Sequence, residues 1–143
     1  MSGLRISHTL RPEDLAVVHD YLSGQAYWSR GIRLATLQAA VAQSLCFAGF
    51  HSGALVAFAR VISDYATFAN LVDVFVLPAH RGQGLARELL QAVMAHPQLQ
   101  GLRRFTLATS DAHGLYTKFG FTPLARPERF MERYDALVYE RPS

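Results

Sequence analysis

The stretch that decides the fold is VLPAHRGQGLARELL, from Val76 to Leu90, where a strand-like run passes through a proline and two glycines into an amphipathic helix. The first amides of a helix have no acceptor within it, and together with the helix dipole they attract anions. Gly82 and Gly84 have no side chain to keep a phosphate from the main chain, and either can adopt positive φ. Arg81 and His80 add side-chain charge. The pattern therefore predicts a pyrophosphate site.

Two common phosphate-binding motifs do not fit this turn. A P-loop requires Lys followed by Ser or Thr after the last glycine, whereas this chain continues Leu85-Ala86-Arg87. A dinucleotide-binding fingerprint requires a third glycine and an acidic residue after the next strand, and RFTLAT at 104–109 has no acid. Both alternatives are excluded by particular residues.

Hydrophobic periodicity predicts alternating helices and strands along the chain. We expect strands at 4–10, 45–50, 54–63, 67–78 and 103–109, with one or two more in 121–134. We expect helices at 11–22, 34–43, 82–95 and 110–121, the last capped by Asp111 and closed by Gly120. The strand at 67–78 is mostly apolar, which predicts a central strand covered on both faces. A meander of antiparallel strands leading into a strand–helix–strand unit predicts a mixed, mostly antiparallel sheet of the α+β class.

Composition indicates a folded, mildly basic chain of 143 residues. Half of the residues are hydrophobic, which suffices for one core, so we expect a single domain over residues 1–143. The formal net charge is +3, and the basic residues are scattered rather than gathered in a run. That distribution argues against a nucleic-acid surface and suits a small anionic ligand.

Cysteine usage, hydropathy and histidine spacing exclude further classes. Cys46 is the only cysteine, so no internal disulfide forms and a reducing compartment is expected. No apolar stretch approaches the ~18 residues of a membrane span, and the N-terminal stretch lacks an apolar signal core, which favours a cytoplasmic protein. The six histidines match no spacing of metal ligands, so no metal site is expected.

A different motif fits the turn. Arg-x-x-Gly-x-Gly/Ala is filled by Arg81, Gly84 and Ala86, after a strand that ends V-x-P at residues 76–78. A second motif, A-x-x-L-Y-x-K-x-G-F, occupies residues 112–121. Together they resemble the acyl-coenzyme A signature of the GNAT (Gcn5-related) N-acetyltransferase family, and the predicted order of elements is similar over most of the chain. The resemblance implies a GNAT-like single domain with about four helices flanking the sheet.

The resemblance also implies a donor site and a catalytic acid. The main chain of Val74 and Val76 would pair with the pantetheine arm of acetyl-CoA, and the amides from 81 to 86 would hold its pyrophosphate. Tyr116 lies where the family commonly has the tyrosine that protonates the departing thiolate. The implied donor-binding residues are Val74, Phe75, Val76, Arg81, Gly82, Gln83, Gly84, Leu85, Ala86 and Thr109.

Two positions depart from the family pattern. Thr109 stands where many members have an asparagine that binds the pantetheine arm. Asn70 or Val72 stands where several branches have a glutamate base, so the resemblance identifies no base. Asp73 is the nearest acid: it either helps to hold the amine, as in polyamine-type relatives, or accepts hydrogen bonds from a neighbouring loop. His113 is interpreted as a surface residue rather than a proton relay.

The loop between the first two predicted helices is the candidate acceptor side. Tyr27 and Trp28 could form a pocket wall with Asp73 nearby, and Arg30 could bind an acceptor carboxylate or phosphate. Trp28 could equally fill the core, and Arg30 could simply be solvated. Arg60 and Tyr65 are weaker acceptor-side candidates.

These observations lead to one main hypothesis and two alternatives. The main hypothesis is transfer of an acetyl group from acetyl-CoA to a primary amine, on a small molecule, by direct attack, with Tyr116 as general acid and Asp73 beside it. The first alternative is a catalytically weak acyl-CoA-binding sensor or partner module, and the second is a general nucleotide-phosphate binder. The resemblance also allows a homodimer. No enzyme nucleophile is required for direct transfer.

Overall fold

The computed structural model describes residues 3–141, and Met1, Ser2, Pro142 and Ser143, at the ends of the predicted domain, lie outside the described residues. The strands are β1 (Arg5–Ser7), β2 (Leu45–His51), β3 (Ala54–Ser63), β4 (Phe68–Val76) and β5 (Arg104–Leu107). The helices of more than one turn are α1 (Pro12–Gly24), α2 (Leu34–Ala42), α3 (Leu85–Ala95) and α4 (His113–Thr117).

The five strands form one sheet in the order β1-β2-β3-β4-β5. Neighbouring strands are antiparallel except β4 and β5, which are parallel and joined by the crossover through α3. The predictions of an α+β class, a mixed and mostly antiparallel sheet and about four flanking helices are confirmed.

The core has two parts, one on each face of the sheet. On one face α3 packs Leu89 and Val93 against strand residues such as Val61, and Tyr116 of α4 joins the same cluster. On the other face α1 and α2 pack against strand residues such as Phe58. Successive side chains of a strand point to opposite faces of the sheet. Because both faces are covered at β2 and β3, these strands are almost continuously apolar.

The prediction that the fourth strand is covered on both faces is wrong at its beginning. β4 is the last strand but one in the sheet, and Phe68 at its start is 41% exposed. Neither α1 nor α2 extends over that corner of the sheet, since the buried residues of β4 on their side come later, at Phe75. An apolar strand therefore leaves part of one face open to solvent.

The prediction of further strands within 121–134 is also wrong. The described residues after α4 contain single 3₁₀ turns at Pro127–Arg129 and Val138–Glu140 and no strand. Pro123 and Pro127 cannot donate a ladder hydrogen bond, which disfavours a sheet strand here. The side chains from residue 122 to 134 are exposed.

The predicted helix at 110–121 is shorter than expected, and Asp111 does not cap it. Its N-cap is Ala112, without a side-chain hydrogen bond, and in the preceding turn the hydroxyl of Thr109 accepts hydrogen bonds from the main-chain N–H groups of Asp111 and Ala112. Gly120 does follow the helix with a positive φ of 89°, as a helix-closing glycine does. None of the helices in residues 3–141 is both long and apolar enough to cross a membrane.

Candidate functional site

The main cleft of the molecule opens where β4 and β5 part. The two strands pair only between Phe68–Leu71 and Arg104–Leu107, and β4 then continues to Val76 without β5 beside it. A cleft of about 1720 Å³ lies at this opening and is bordered by both strands, α3, α4 and the α1–α2 loop. The volume exceeds the ~300–1,000 Å³ of common small-ligand pockets, so the cleft has room for a long ligand.

A β-bulge in β4 marks the start of the opening. Phe58 of β3 pairs with Phe75 and Arg60 pairs with Val72, so Asp73 and Val74 together oppose one residue of β3. Asp73 has a φ of 56°, in the left-handed region that aspartate tolerates better than most residues. A bulge increases strand twist and bends the strand, which helps β4 to diverge from β5.

The bulge leaves main-chain groups of β4 directed into the cleft. The N–H of Leu77 donates to Val56 of β3, so the groups of Val76 point to the opposite side, away from β3. The carbonyl of Val76 accepts a hydrogen bond from Arg81 Nε at 3.0 Å. From Val72 onward, the peptide groups on this edge of β4 therefore have no neighbouring strand. An extended ligand could form hydrogen bonds with them as an added strand does.

The turn between β4 and α3 has the geometry of an anion site. Gly82 and Gly84 have φ values of 80° and 76°, and Gly84 is the N-cap of α3 without a side-chain acceptor. A Cβ built on either glycine meets no described atom within 4 Å, so the space in front of the main chain is open. Gly82, Gly84, Leu85 and Ala86, four of the residues expected to bind the donor, line the cleft, whereas Gln83 does not.

Basic side chains border the cleft. They are the cations Arg81, Arg87 and Lys118, together with the imidazole of His80. Arg81 also donates to the hydroxyl of Tyr21 at 2.8 Å, so its side chain ties the turn to α1. Together with the positive end of the α3 dipole, these groups favour a polyanion here.

Tyr116 of α4 also borders the cleft. It is buried in the core cluster that includes α3. Burial raises the pKa of the Tyr116 phenol, and the nearby Asp111 carboxylate raises it further. The phenol is therefore protonated at neutral pH and can donate a proton. Thr109, predicted to contact the donor, lines the cleft, with its hydroxyl engaged at the start of α4.

Asp73 is held between two donors. One carboxylate oxygen accepts a hydrogen bond from Trp28 Nε1 at 2.9 Å, and the other accepts one from Arg60 Nε at 2.9 Å. Arg60 also donates to Ser44 Oγ at 3.0 Å. The side chains of Arg60 and Asp73 are 15% and 9% exposed, so the ion pair is largely shielded from water. This is the arrangement expected if Asp73 accepts hydrogen bonds from a neighbouring loop.

The α1–α2 loop contacts both sides of the opening. Trp28 bonds to the bulge of β4, and the hydroxyl of Tyr27 lies 2.7 Å from Ser110 Oγ, in the loop that follows β5. The two rings meet edge to face, with centroids 5.1 Å apart. Trp28 does not fill the core, since it is 42% exposed and lines the cleft.

Other predicted residues lie away from the cleft. Arg30, Tyr65 and His113 are exposed and do not border it. Cys46 is buried, and this burial raises the pKa of its thiol to about 11, which makes it a poor nucleophile at neutral pH. Within residues 3–141, no group of three His, Cys, Asp or Glu side chains is placed to hold a metal ion.

Several cleft residues were not found from the sequence. Ile62 and Phe68 have the period-two spacing of strand residues, but the pattern could not show that their face is uncovered here. Phe130 and Met131 border the same cleft from the segment after α4, where strands were expected. No sequence signal placed that segment against the sheet.

Comparisons of the sequence and of the structure with known proteins identify the same family. Residues 15–121 match the family model described as the Acetyltransferase (GNAT) family. A crystal structure of a GNAT-family candidate acetyltransferase from Xanthomonas campestris pv. campestris is 55% identical, covers 99% of each chain and has a TM-score of 0.93. A candidate acetyltransferase from Clostridium acetobutylicum, solved with acetyl-CoA, is 15% identical and covers 94% of this chain and 96% of that chain, with a TM-score of 0.66.

A relative with less overlap comes from Gibberella zeae. This candidate acetyltransferase is 42% identical over 66 residues, which are 44% of this chain and 36% of that protein. The chain therefore spans well under two thirds of that relative.

The shielded ion pair gives the first prediction. Replacing Arg60 by Met leaves the Asp73 carboxylate without its cation, and breaking such a pair costs about 3–5 kcal/mol. We expect R60M to lower the free energy of unfolding by roughly 3 kcal/mol in urea denaturation, and R60M/D73N to recover part of it. The control is R126M, which removes the exposed pair with Glu128 and should cost under ~1 kcal/mol. Equal stability of R60M and R126M would contradict the assigned role of the pair.

Proposed function

The chain belongs to the GNAT acetyltransferase family, and on that premise we propose that it transfers an acetyl group from acetyl-CoA directly to a primary amine of a small molecule. The observation that supports this proposal is the meeting of three features in one cleft. These are the unpaired edge of β4, the glycine turn before α3, and the protonated phenol of Tyr116. Each feature serves a different part of an acetyl-CoA molecule.

The donor binds along β4 and at the start of α3. The peptide groups of Val74 and Val76 pair with the amides of the pantetheine arm, as an added strand does. The first amides of α3 bind the pyrophosphate, and Gly82 and Gly84 keep that approach open. Arg87 and Lys118 add positive charge beside it. The observed groups thus fit an extended chain that ends in a diphosphate.

The chemical step needs a proton donor and no enzyme nucleophile. The nitrogen of the neutral amine attacks the thioester carbonyl, a C–N bond forms, and the C–S bond then breaks. Tyr116 donates its phenolic proton to the departing sulfur, and water restores that proton. The unpaired N–H groups of β4 stabilise the oxyanion. The thiol of Cys46 is not involved, because it is buried and protonated.

The surplus proton of the amine passes to water in the cleft. Asn70, at a position where several branches of the family have a basic glutamate, accepts a hydrogen bond from Thr106 Oγ1 at 3.0 Å and is not a base. Asp73 accepts a hydrogen bond from Trp28 with one carboxylate oxygen and pairs with Arg60 through the other, so both oxygens are already engaged. We therefore assign Asp73 to holding the site rather than to proton removal.

A small acceptor suits the shape of the opening. The α1–α2 loop bonds to β4 through Trp28 and to the loop after β5 through Tyr27, so it narrows the entrance on that side. A compact amine passes such an entrance more readily than a folded protein surface.

The donor site can be tested with two matched glycine variants. Gly84→Val fills the approach to the α3 amides, so we expect coenzyme A to bind at least about tenfold more weakly in calorimetry. Gly53→Val is the control, because Gly53 has a similar φ of 81°, has equally open space, and lies in the β2–β3 hairpin. It should carry similar backbone strain and keep wild-type affinity. Wild-type affinity in G84V would refute the proposed donor site.

The proton donor can be tested with Tyr116→Phe. This variant keeps the packing of the ring but loses the acidic hydroxyl, so we expect kcat to fall by about two orders of magnitude while KM for acetyl-CoA changes little. Tyr134→Phe, an exposed tyrosine outside the cleft, serves as control. The readout is release of free thiol across pH. Full activity of Y116F at every pH would exclude the phenol as the acid.

A further inference from the structure

We propose that the acceptor is a primary monoamine on an apolar, aromatic-sized body, and that Trp28 and Phe68 form the specificity pocket for that body. This inference rests on the acetyl transfer proposed above and names the class of its acceptor. Two observations support the inference. The sheet face that α1 and α2 cover is open at its corner near Phe68, and the carboxylate of Asp73 is already paired with Arg60.

The open corner lies on one identifiable face of the sheet. Phe58 of β3 packs into the α1–α2 core, so Arg60 and Ile62, at intervals of two, project from the same face. In β4 this face carries Phe68, Asn70 and Val72, because Ala69 and Leu71 pack into the opposite core. α1 and α2 do not reach this far, and the face runs from Phe68 to Val72, next to the bulge at which the strands part. An acceptor that extends along this face brings its amine to the donor edge proposed above.

Large apolar side chains border the cleft along this face. Ile62 and Phe68 lie at the open corner, Trp28 lies at the bulge, and each is at least 41% exposed. Phe130 and Met131, from the segment after α4, border the cleft as well, and the ring of Phe130 lies 5.0 Å from the guanidinium carbon of Arg104 in β5. Exposed apolar groups gathered in one concavity are typical of a binding site for an apolar group.

The charges of the cleft disfavour a polycation. A polyamine or aminoglycoside needs several carboxylates free to pair with it. Of the described acids that border the cleft, Asp73 is already paired with Arg60. Asp111 lies at the Tyr116 side, and its charge acts on that phenol. Glu132 lies on the exposed segment after α4. Glu132 is thus the carboxylate left to guide an ammonium group, and one carboxylate cannot match three or four.

Trp28 is fixed as a wall of the pocket. Its indole N–H donates to Asp73, whose position is set in turn by Arg60 and by the bulge. The bond uses the polar edge of the ring and leaves its apolar surface for a ligand. Tyr27 packs edge to face against that ring and anchors the same loop to Ser110. A wall that is already ordered loses little entropy when a flat or branched apolar group packs on it.

The test is thiol release from acetyl-CoA by the full chain with four amines: 2-phenylethylamine, isoamylamine, ethanolamine and spermidine. We expect kcat/KM for 2-phenylethylamine to exceed that for spermidine and for ethanolamine by at least about tenfold. A preference for spermidine, or a difference below that factor, overturns the inference but leaves the acetyl-transfer proposal intact. If no amine raises thiol release above hydrolysis, the acetyl-transfer proposal itself fails, and the inference fails with it.

Three variants separate a specificity role from a structural one. Trp28→Ala and Phe68→Ala should each raise KM for 2-phenylethylamine about tenfold and leave KM for acetyl-CoA unchanged, whereas Trp28→Phe should retain most of the preference. Tyr134→Ala removes an exposed aromatic ring outside the cleft and should change neither constant. If W28A and F68A change KM for 2-phenylethylamine and KM for acetyl-CoA in parallel, the surface serves folding rather than specificity. If they change the oligomeric state but not the amine preference, the surface serves self-association.

Discussion

The parting of β4 from β5 is the constraint on which the rest of the site depends. Parallel strands that paired along their whole length would leave no main-chain groups for a ligand. Here the pairing ends at Leu71, and β4 runs on to Val76 alone on that side. The bulge at Asp73 and Val74 allows this, because it adds one residue to β4 and bends the strand. The cost is a left-handed backbone at a residue other than glycine, about 1–3 kcal/mol.

The same bulge joins the proposed donor and acceptor sites. Its main chain lies on the edge proposed for the donor, while the side chain of Asp73 is held by Arg60 and holds Trp28 on the side proposed for the acceptor. A change in the angle of β4 therefore moves the wall of the acceptor pocket as well as the donor edge. This explains why an acid in the cleft does not have to act as a base. In the proposed reaction, the charge of Asp73 stabilises a strained turn and a loop, and Tyr116 is the proton donor.

The parts that the sequence could predict are the local ones. The turn from Val76 to Leu90 could be predicted because its conformation depends on its own residues: a proline ends the strand, and two glycines provide positive φ before the helix. The bulge at Asp73 could not be predicted, because its positive φ is stabilised by Arg60 and Trp28, which are distant in sequence. The open face at Phe68 depends on where α1 and α2 end in space, which hydrophobic periodicity does not encode. The strands expected after α4 do not form, because Pro123 and Pro127 cannot donate ladder hydrogen bonds.

The most direct measurement is a crystal structure of the protein with coenzyme A. The pyrophosphate oxygens should lie about 3 Å from main-chain nitrogens between residues 82 and 86, with the pantetheine arm extended along β4 from Val72 to Val76. The sulfur should then face the hydroxyl of Tyr116. A diphosphate bound elsewhere, with β4 and β5 still parted and empty, would contradict the central claim that this opening exists to hold the donor.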